Sequence, residues 1–165
     1  MVQGDMRSFM LNKKFDLIFI GFNSFLHLLT DVDVNNFFTC VKAHMHQTSR
    51  FLIDVFIPSP LFLYRPEGVR YPVLEYTDSK TNQKIYVEEA NIYDTKTEIN
   101  HLTWYFLVDN EEYAQSREFS MRMYFPSRMN QMLSNHGFKI CHQWGDYYRT
   151  PLNEGSKLQI YDVVL

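Results

Sequence analysis

Apolar positions along the first sixty residues follow two different periods. Residues 15–22, FDLIFIGF, form a nearly unbroken apolar run containing one acid, the pattern of a strand covered on both faces as in a parallel sheet. The run stops at Asn23 and Ser24. Val34, Phe37, Phe38, Val41 and Met45 then recur at three- and four-residue spacing, which predicts a helix with one apolar face. Thr30 or Asp31 is its expected cap. Lys42, His44 and His46 fall in its expected last turn, where positive charge suits the helix dipole. Residues 51–56, FLIDVF, make a second apolar run that Pro58 and Pro60 end. Strand, helix and strand with this crossover length predict a right-handed parallel βαβ unit.

The pattern changes across residues 58–68. Residues 71–76, 84–93, 99–108 and 119–125 are rich in Tyr, Phe, Val, Ile and Thr and read as strands. Turn formers separate them at residues 78–82, 94–96 and Asp109-Asn110, so the segment predicts an antiparallel meander. Pro126-Ser127 opens a short helix with Met129, Met132 and Leu133 inward, and Gly137 is its expected left-handed stop. Residues 138–144 and 158–165 predict a closing hairpin around the loop 145–157. A single βαβ unit cannot cover both faces of its own strands, so the pattern reads as the later part of a larger α/β sheet. The expected organisation is one domain over 1–165, with 71–124 inserted between the two parts of the sheet, 1–58 and 126–165.

Composition narrows the function. Sixteen Lys and Arg against nineteen Asp and Glu give a net charge of -3, which supplies no positive field for nucleic acid or anionic lipid. No apolar stretch approaches the roughly 18 residues of a spanning helix. Residues 1–11 lack the apolar run of a signal peptide, so a cytoplasmic protein is expected. Cys40 and Cys141 lack any ligand spacing and predict neither a disulfide framework nor a metal site. The 14 Phe, 11 Tyr and 2 Trp predict a ring-rich core or a ring-lined pocket.

Ligands of open parallel sheets bind outside the carboxyl ends of the strands. Residues 1–4 are expected to end one strand, Phe22 the next and Phe56 the third, so Asp5, Met6, Phe22, Asn23, Ser24, Ile57 and Pro58 converge on one rim. Asp5 there either accepts from an amine beside a stacked ring or caps a turn with Arg7 as partner. His27 either serves as a base in the crevice or hydrogen-bonds locally. His44 and His46, two apart on a helix, do not share a metal. Ser24, His27 and Asp54 lack the G-x-S-x-G elbow of a nucleophilic triad, and the glycines form no phosphate loop.

Gly4-Asp5-Met6-Arg7-Ser8-Phe9, Lys14-Phe15-Asp16-Leu17-Ile18, Asn23-Ser24-Phe25 and Asp54-Val55-Phe56 together resemble class I S-adenosylmethionine-dependent methyltransferases. Residues 126–138 and 158–164 resemble that family's late helix, its Gly-Phe step and its last strand. The resemblance implies a partial Rossmann-like methyltransferase sheet, a parallel βαβ unit plus a terminal antiparallel hairpin, with an inserted antiparallel β meander. It implies S-adenosyl-L-methionine as cofactor, with Asp5 and Met6 at the adenine and Phe22 and Asn23 near the methionine end. Ser24, Tyr64, Trp104, Tyr105 and Arg122 are then expected at a small-molecule methyl acceptor, with Tyr76 adding to the apolar wall and His27 as an optional base ahead of Tyr105. The reaction implied is in-line displacement. The turn before the family's fifth strand, usually Pro-Gly-Gly, is Gln47-Thr48-Ser49 here. The family's Gly-rich loop and ribose-binding acid have no counterpart in the sequence, so the chain is expected to be a carboxyl-terminal part, an incomplete gene product or a fragment, which either forms a homodimer or meets a partner that supplies the missing amino-terminal half. The competing reading is a non-catalytic ligand-binding or assembly module built on the aromatic meander.

Overall fold

The structure, a computed structural model, describes residues 2–108 and 111–165, with backbone alone over 111–115. The turn expected at Asp109-Asn110 lies outside the described residues. The chain divides into two compact units, Met1–Pro58 with Arg122–Leu165, and Ser59–Met121.

The first unit is a four-stranded sheet carrying helices. Strand β1 (Phe15–Ile20) leads through a 3-10 turn (Ser24–His27) to helix α1 (Asp31–Ala43), and β2 (Met45–Phe56) follows. After the second unit come helix α3 (Pro126–Asn135) and strands β7 (Lys139–Trp144) and β8 (Leu158–Val164). The order is β1-β2-β8-β7, with β1 and β2 parallel and the pairs β2–β8 and β7–β8 antiparallel. The parallel βαβ unit and the closing hairpin are therefore as the periodicity predicts.

Helix α1 starts where its local chemistry allows. The Thr30 hydroxyl accepts from the Asp33 N–H at 3.0 Å and the Asp33 carboxylate accepts from the Thr30 N–H at 3.1 Å, a reciprocal capping box. Helix α3 ends as locally, with Gly137 at φ 78°. The Gly137 N–H reaches the Ser134 carbonyl at 2.9 Å and the Phe138 N–H the Leu133 carbonyl at 3.0 Å, the paired bonds of a left-handed stop.

Both helices cover one face of the sheet. Phe37 and Phe38 meet Phe51 at ring separations of 6.0 and 6.4 Å, and Phe138 meets Phe38 at 5.2 Å and Phe51 at 5.7 Å. Phe25, buried in the 3-10 turn, adds edge contacts to Phe37 and Tyr124. Each such fully buried side chain contributes about 1.5–3 kcal/mol relative to exposure.

Several expectations fail here, each for a tertiary reason. Residues 2–4 form no strand, so β1 is an edge of its sheet. β1 is not covered on both faces: Leu17 is 53% and Phe19 73% exposed, because α1 and α3 serve only the other side. Met45 and His46 belong to β2 rather than to the helix, which stops at Ala43. The supposed turn Gln47-Thr48-Ser49 is absorbed into β2 as an irregularity, since Phe15 pairs with Met45 but Leu17 with Arg50. Ser49 fills that gap, accepting from the His46 N–H at 2.8 Å and donating to the Phe15 carbonyl at 2.6 Å.

The second unit is a four-stranded sheet, β3 (Tyr71–Thr77), β4 (Lys84–Asp94), β5 (Ile99–Val108) and β6 (Glu111–Arg122), in that order, with a one-turn helix α2 (Pro60–Leu63). The pairs β3–β4 and β4–β5 are antiparallel, as a meander requires. Strand β6 begins eight residues before the expected 119 and ends at Arg122, because neighbouring β5 recruits polar residues that carry no strand pattern of their own. Asp78 and Asp94 organise the two described turns by accepting backbone N–H groups.

Candidate functional site

The carboxyl ends of β1 and β2 lie side by side because the strands are parallel. The Asn23 side-chain carbonyl accepts from the Phe56 N–H at 2.8 Å, which ties the two strand tips together through the Asn23 oxygen rather than its amide N–H groups. Phe22 and Asn23 have φ of 54° and 59°. The left-handed region is unfavourable for a bulky side chain by roughly 1–2 kcal/mol. Phe22 holds it while 98% exposed, so no burial of its ring offsets the cost. Backbone strain of this kind concentrates at sites that use it. The 3-10 turn that follows is anchored by buried Phe25 and Leu26, which leaves Ser24 half-buried and His27 exposed.

Asp5 reaches the same edge through α1. Arg7 donates from its backbone N–H and Nε to Asp5 Oδ1 at 2.8 and 3.0 Å and from a terminal nitrogen to Oδ2 at 2.7 Å. Its other terminal nitrogen reaches Asp33 at 2.9 Å in the first turn of α1. In a parallel βαβ unit the helix starts at the carboxyl ends of the strands, so Arg7 pins the Asp5 segment to that edge. These donated bonds lower the Asp5 carboxyl from the ordinary 3.8 to about 2. Asp5 is thus a turn-capping partner of Arg7, and it stays ionised as an acceptor whose Oδ2 has lone-pair capacity left. Met6 beside it is half-buried.

The remaining expected residues have other occupations. The nearly buried Arg122 guanidinium donates to Asp31 at 2.7 Å, an ion pair that Arg128 shares. In the second unit, Trp104 Nε1 donates to Glu89 at 2.7 Å and its ring meets Phe119 edge-on at 5.3 Å. Tyr105, the next residue of the same strand, points to the opposite face. The Arg70 guanidinium lies 3.6 Å from its ring centre. Trp104 and Tyr105 therefore do not share one wall. Tyr64 is exposed and meets Tyr93 edge-on at 5.9 Å.

One feature of the first unit was not expected from the chain. On the uncovered face of the sheet, Phe19, Leu52, Asp54, Trp144, Tyr147 and Ile160 help to line a cavity of about 270 Å³. The Tyr147 hydroxyl donates to Asp54 at 2.8 Å. The loop 145–157 can close over this face because Gly145 has no side chain: a Cβ there would lie 2.1 Å from Ser156 Oγ. A glycine after a strand of mixed polarity is the one signal in the sequence, and it does not say which face the loop will cover.

Among solved structures, an S-adenosylmethionine-dependent methyltransferase from Clostridium acetobutylicum matches 99% of this chain at a TM-score of 0.76 and 18% identity. The fold is a methyltransferase fold. The CcbJ methyltransferase from Streptomyces caelestis matches 99% of the chain at a TM-score of 0.75 and 15% identity. The glycopeptide N-methyltransferase MtfA, complexed with S-adenosylmethionine, matches 99% at a TM-score of 0.56 and 17% identity. The chain spans 63%, 62% and 63% of those three structures. No family model and no curated protein matches the sequence. The methyltransferase fold explains the strand order β1-β2-β8-β7 with its parallel first pair, and the sequence resemblance to that fold class holds at the level of structure. Among the described residues no helix is long and apolar enough to cross a membrane.

Proposed function

We propose that this chain takes part in S-adenosylmethionine-dependent transfer of a methyl group to a small-molecule acceptor. The observation that carries the reading is the match of its methyltransferase fold over 99% of the chain. The residues at that edge suit an adenosyl group: an ionised acceptor at Asp5 for an exocyclic amine, a half-buried Met6, the bare ring of Phe22 for stacking, and the free amide N–H groups of Asn23. The cofactor, when bound, supplies a methyl group on an already activated sulfonium, whose sulfur leaves without needing a proton. The protein's contribution is alignment for an in-line attack, a term that reaches about 7–11 kcal/mol in well-oriented systems. His27, exposed at the end of the 3-10 turn, takes the acceptor's proton where one must be removed, and Ser24 orients the acceptor.

Within the second unit Trp104 and Tyr105 project from opposite faces of their sheet, and in the first unit Arg122 holds Asp31. The description of one solved neighbour as a glycopeptide N-methyltransferase supports a nitrogen acceptor. The free edge of β1, with Leu17 and Phe19 bare, suits a further parallel strand and a covering helix, which a preceding segment or a partner chain supplies. That segment is where the reading puts the glycine-rich turn. Two free cysteines support a reducing compartment, the cytoplasm.

The test is calorimetric binding of S-adenosylhomocysteine to the protein purified from its native source with any chain that accompanies it. Binding that Asp5→Ala weakens by about tenfold, the loss of one charge-assisted hydrogen bond, supports the reading. No binding by that material removes it.

A further inference from the structure

In the second unit, Tyr76, Ile85 and Val108 form one row across β3, β4 and β5, since Tyr76 pairs with Ile85 and Ile85 with Val108. Phe106, two residues back along β5, projects from the same face. These four side chains floor a cavity of about 310 Å³ whose rim includes Asp78 and Arg117. The two rim charges differ in how far they are already used. Asp78 Oδ1 accepts from the Lys80 N–H at 2.9 Å, the Thr81 N–H at 2.8 Å and the Thr81 hydroxyl at 3.1 Å, so this carboxylate serves its own turn. Arg117, exposed on β6, has no carboxylate partner among the described residues.

A guanidinium with no carboxylate partner among the described residues, above a partly aromatic floor, recognises a planar anion attached to a flat ring. The fork of N–H donors matches a carboxylate in two parallel bonds, and the floor takes the ring face. The cavity lies at the small end of ligand pockets, about 300 Å³, which suits one or two fused rings and excludes a long chain. We propose that this trough is a binding site for a flat cyclic carboxylate, with Arg117 as the anion-recognising residue and Tyr76, Ile85, Phe106 and Val108 as the ring seat. The proposal goes beyond the methyl-transfer reading and does not depend on it.

The test is an NMR or calorimetric titration of the 165-residue chain with 2-naphthoate, and with 2-naphthol as the uncharged control. The expected result is binding of 2-naphthoate about tenfold tighter than 2-naphthol, the factor that one charge-assisted contact supplies. Arg117→Gln is expected to erase that preference while 2-naphthol binding and the far-ultraviolet circular dichroism stay unchanged. Arg117 is exposed, so the variant tests recognition rather than folding. Equal binding of the two probes, no binding at millimolar concentration, or a preference that survives Arg117→Gln overturns the proposal. S-adenosylhomocysteine takes no part in these measurements, so their failure leaves the methyl-transfer reading standing.

Discussion

The two units draw on the same aromatic-rich composition and use it in opposite ways. In the first, Phe25, Phe37, Phe38, Phe51 and Phe138 pack chiefly on one another beneath α1 and α3, and each is nearly or fully buried. In the second, rings gather around charges: Arg65 lies 5.0 Å from the Phe62 ring and 4.4 Å from that of Tyr71, and Lys84 lies 4.8 Å from that of Tyr86. Its buried set includes Glu89, Asn91 and Asn100 beside Leu63, Val87 and Leu102. Asn91 donates to Asn100 at 2.9 Å and to the carbonyls of Phe62 and Leu63, so α2 is held by polar bonds as much as by apolar contact. The difference teaches that a sheet carrying two helices gathers its rings into one shared core, whereas a sheet with one helical turn draws a polar cluster into its interior, in which Asn91 Oδ1 and Asn100 Nδ2 stay unpaired among the described residues. Such groups are costly to leave unpaired.

The comparison can be broken most forcefully in the first unit. Phe38→Ala is expected to cost about 3–5 kcal/mol, because the site is walled by other rings and collapses poorly. Leu102→Ala in the second unit is expected to cost about 2–3 kcal/mol, at the lower end for a buried leucine. Urea unfolding monitored by circular dichroism checks both. A larger loss from Leu102→Ala would contradict the idea that apolar packing matters more in the first unit.

The next effect belongs to the polar interior of the second unit. Glu89 is nearly buried and accepts from Arg65 at 3.0 Å as well as from Trp104. Glu89→Gln leaves an acceptor for Trp104 but strands the Arg65 charge. The expected cost is about 2 kcal/mol, below the 3–5 of a fully buried pair because Arg65 is partly open to water. Combining Glu89→Gln with Arg65→Met is expected to recover part of it, read by urea unfolding and by Trp104 fluorescence.

Smaller effects sharpen the reading of the strand tips. Phe22→Gly removes a left-handed bulky residue, and the expected change in stability lies between none and a gain of about 1 kcal/mol, because added freedom in the unfolded chain offsets the relief. The same variant is expected to weaken S-adenosylhomocysteine binding, and stability loss with unchanged binding would deny Phe22 its site role. The smallest effect is at Asp5. Its folded pKa of about 2 lies below the ordinary 3.8, so its contribution to stability is complete above 3.8 and is lost as pH falls towards 2. Carbon-detected NMR titration checks the midpoint, and Arg7→Gln is expected to return it towards 3.8.

Features made by neighbours in the chain were legible in the sequence. Thr30 as a helix cap, Gly137 as a helix stop, and the alternation of residues 84–93 and 99–108 each carry their own bonds or faces. The meeting of the two strand tips was legible, since the parallel pairing of β1 and β2 follows from the crossover and brings Asn23 to Phe56. The partners within it were less so. Asp5 was readable as bonded to Arg7, two residues away, but nothing in the chain announced that Arg7 also spans to Asp33. His44 shows the same limit. It reads as a cation at a helix end, yet its Nε2 accepts from the Leu11 N–H at 2.9 Å, so its Nδ1 carries the hydrogen and donates to the Cys40 carbonyl.

By itself, the sequence determined element types, caps, stops and the alternation that separates Trp104 from Tyr105, because these rest on interactions a few residues long. Tertiary structure alone decided that Gln47 to Ser49 join a strand, that β6 starts in a polar stretch, that Arg122 turns to Asp31, and that one face of β1 stays bare. Those outcomes depend on which strand or charge arrives from far along the chain, and the free energy of such a meeting is not written in either partner separately.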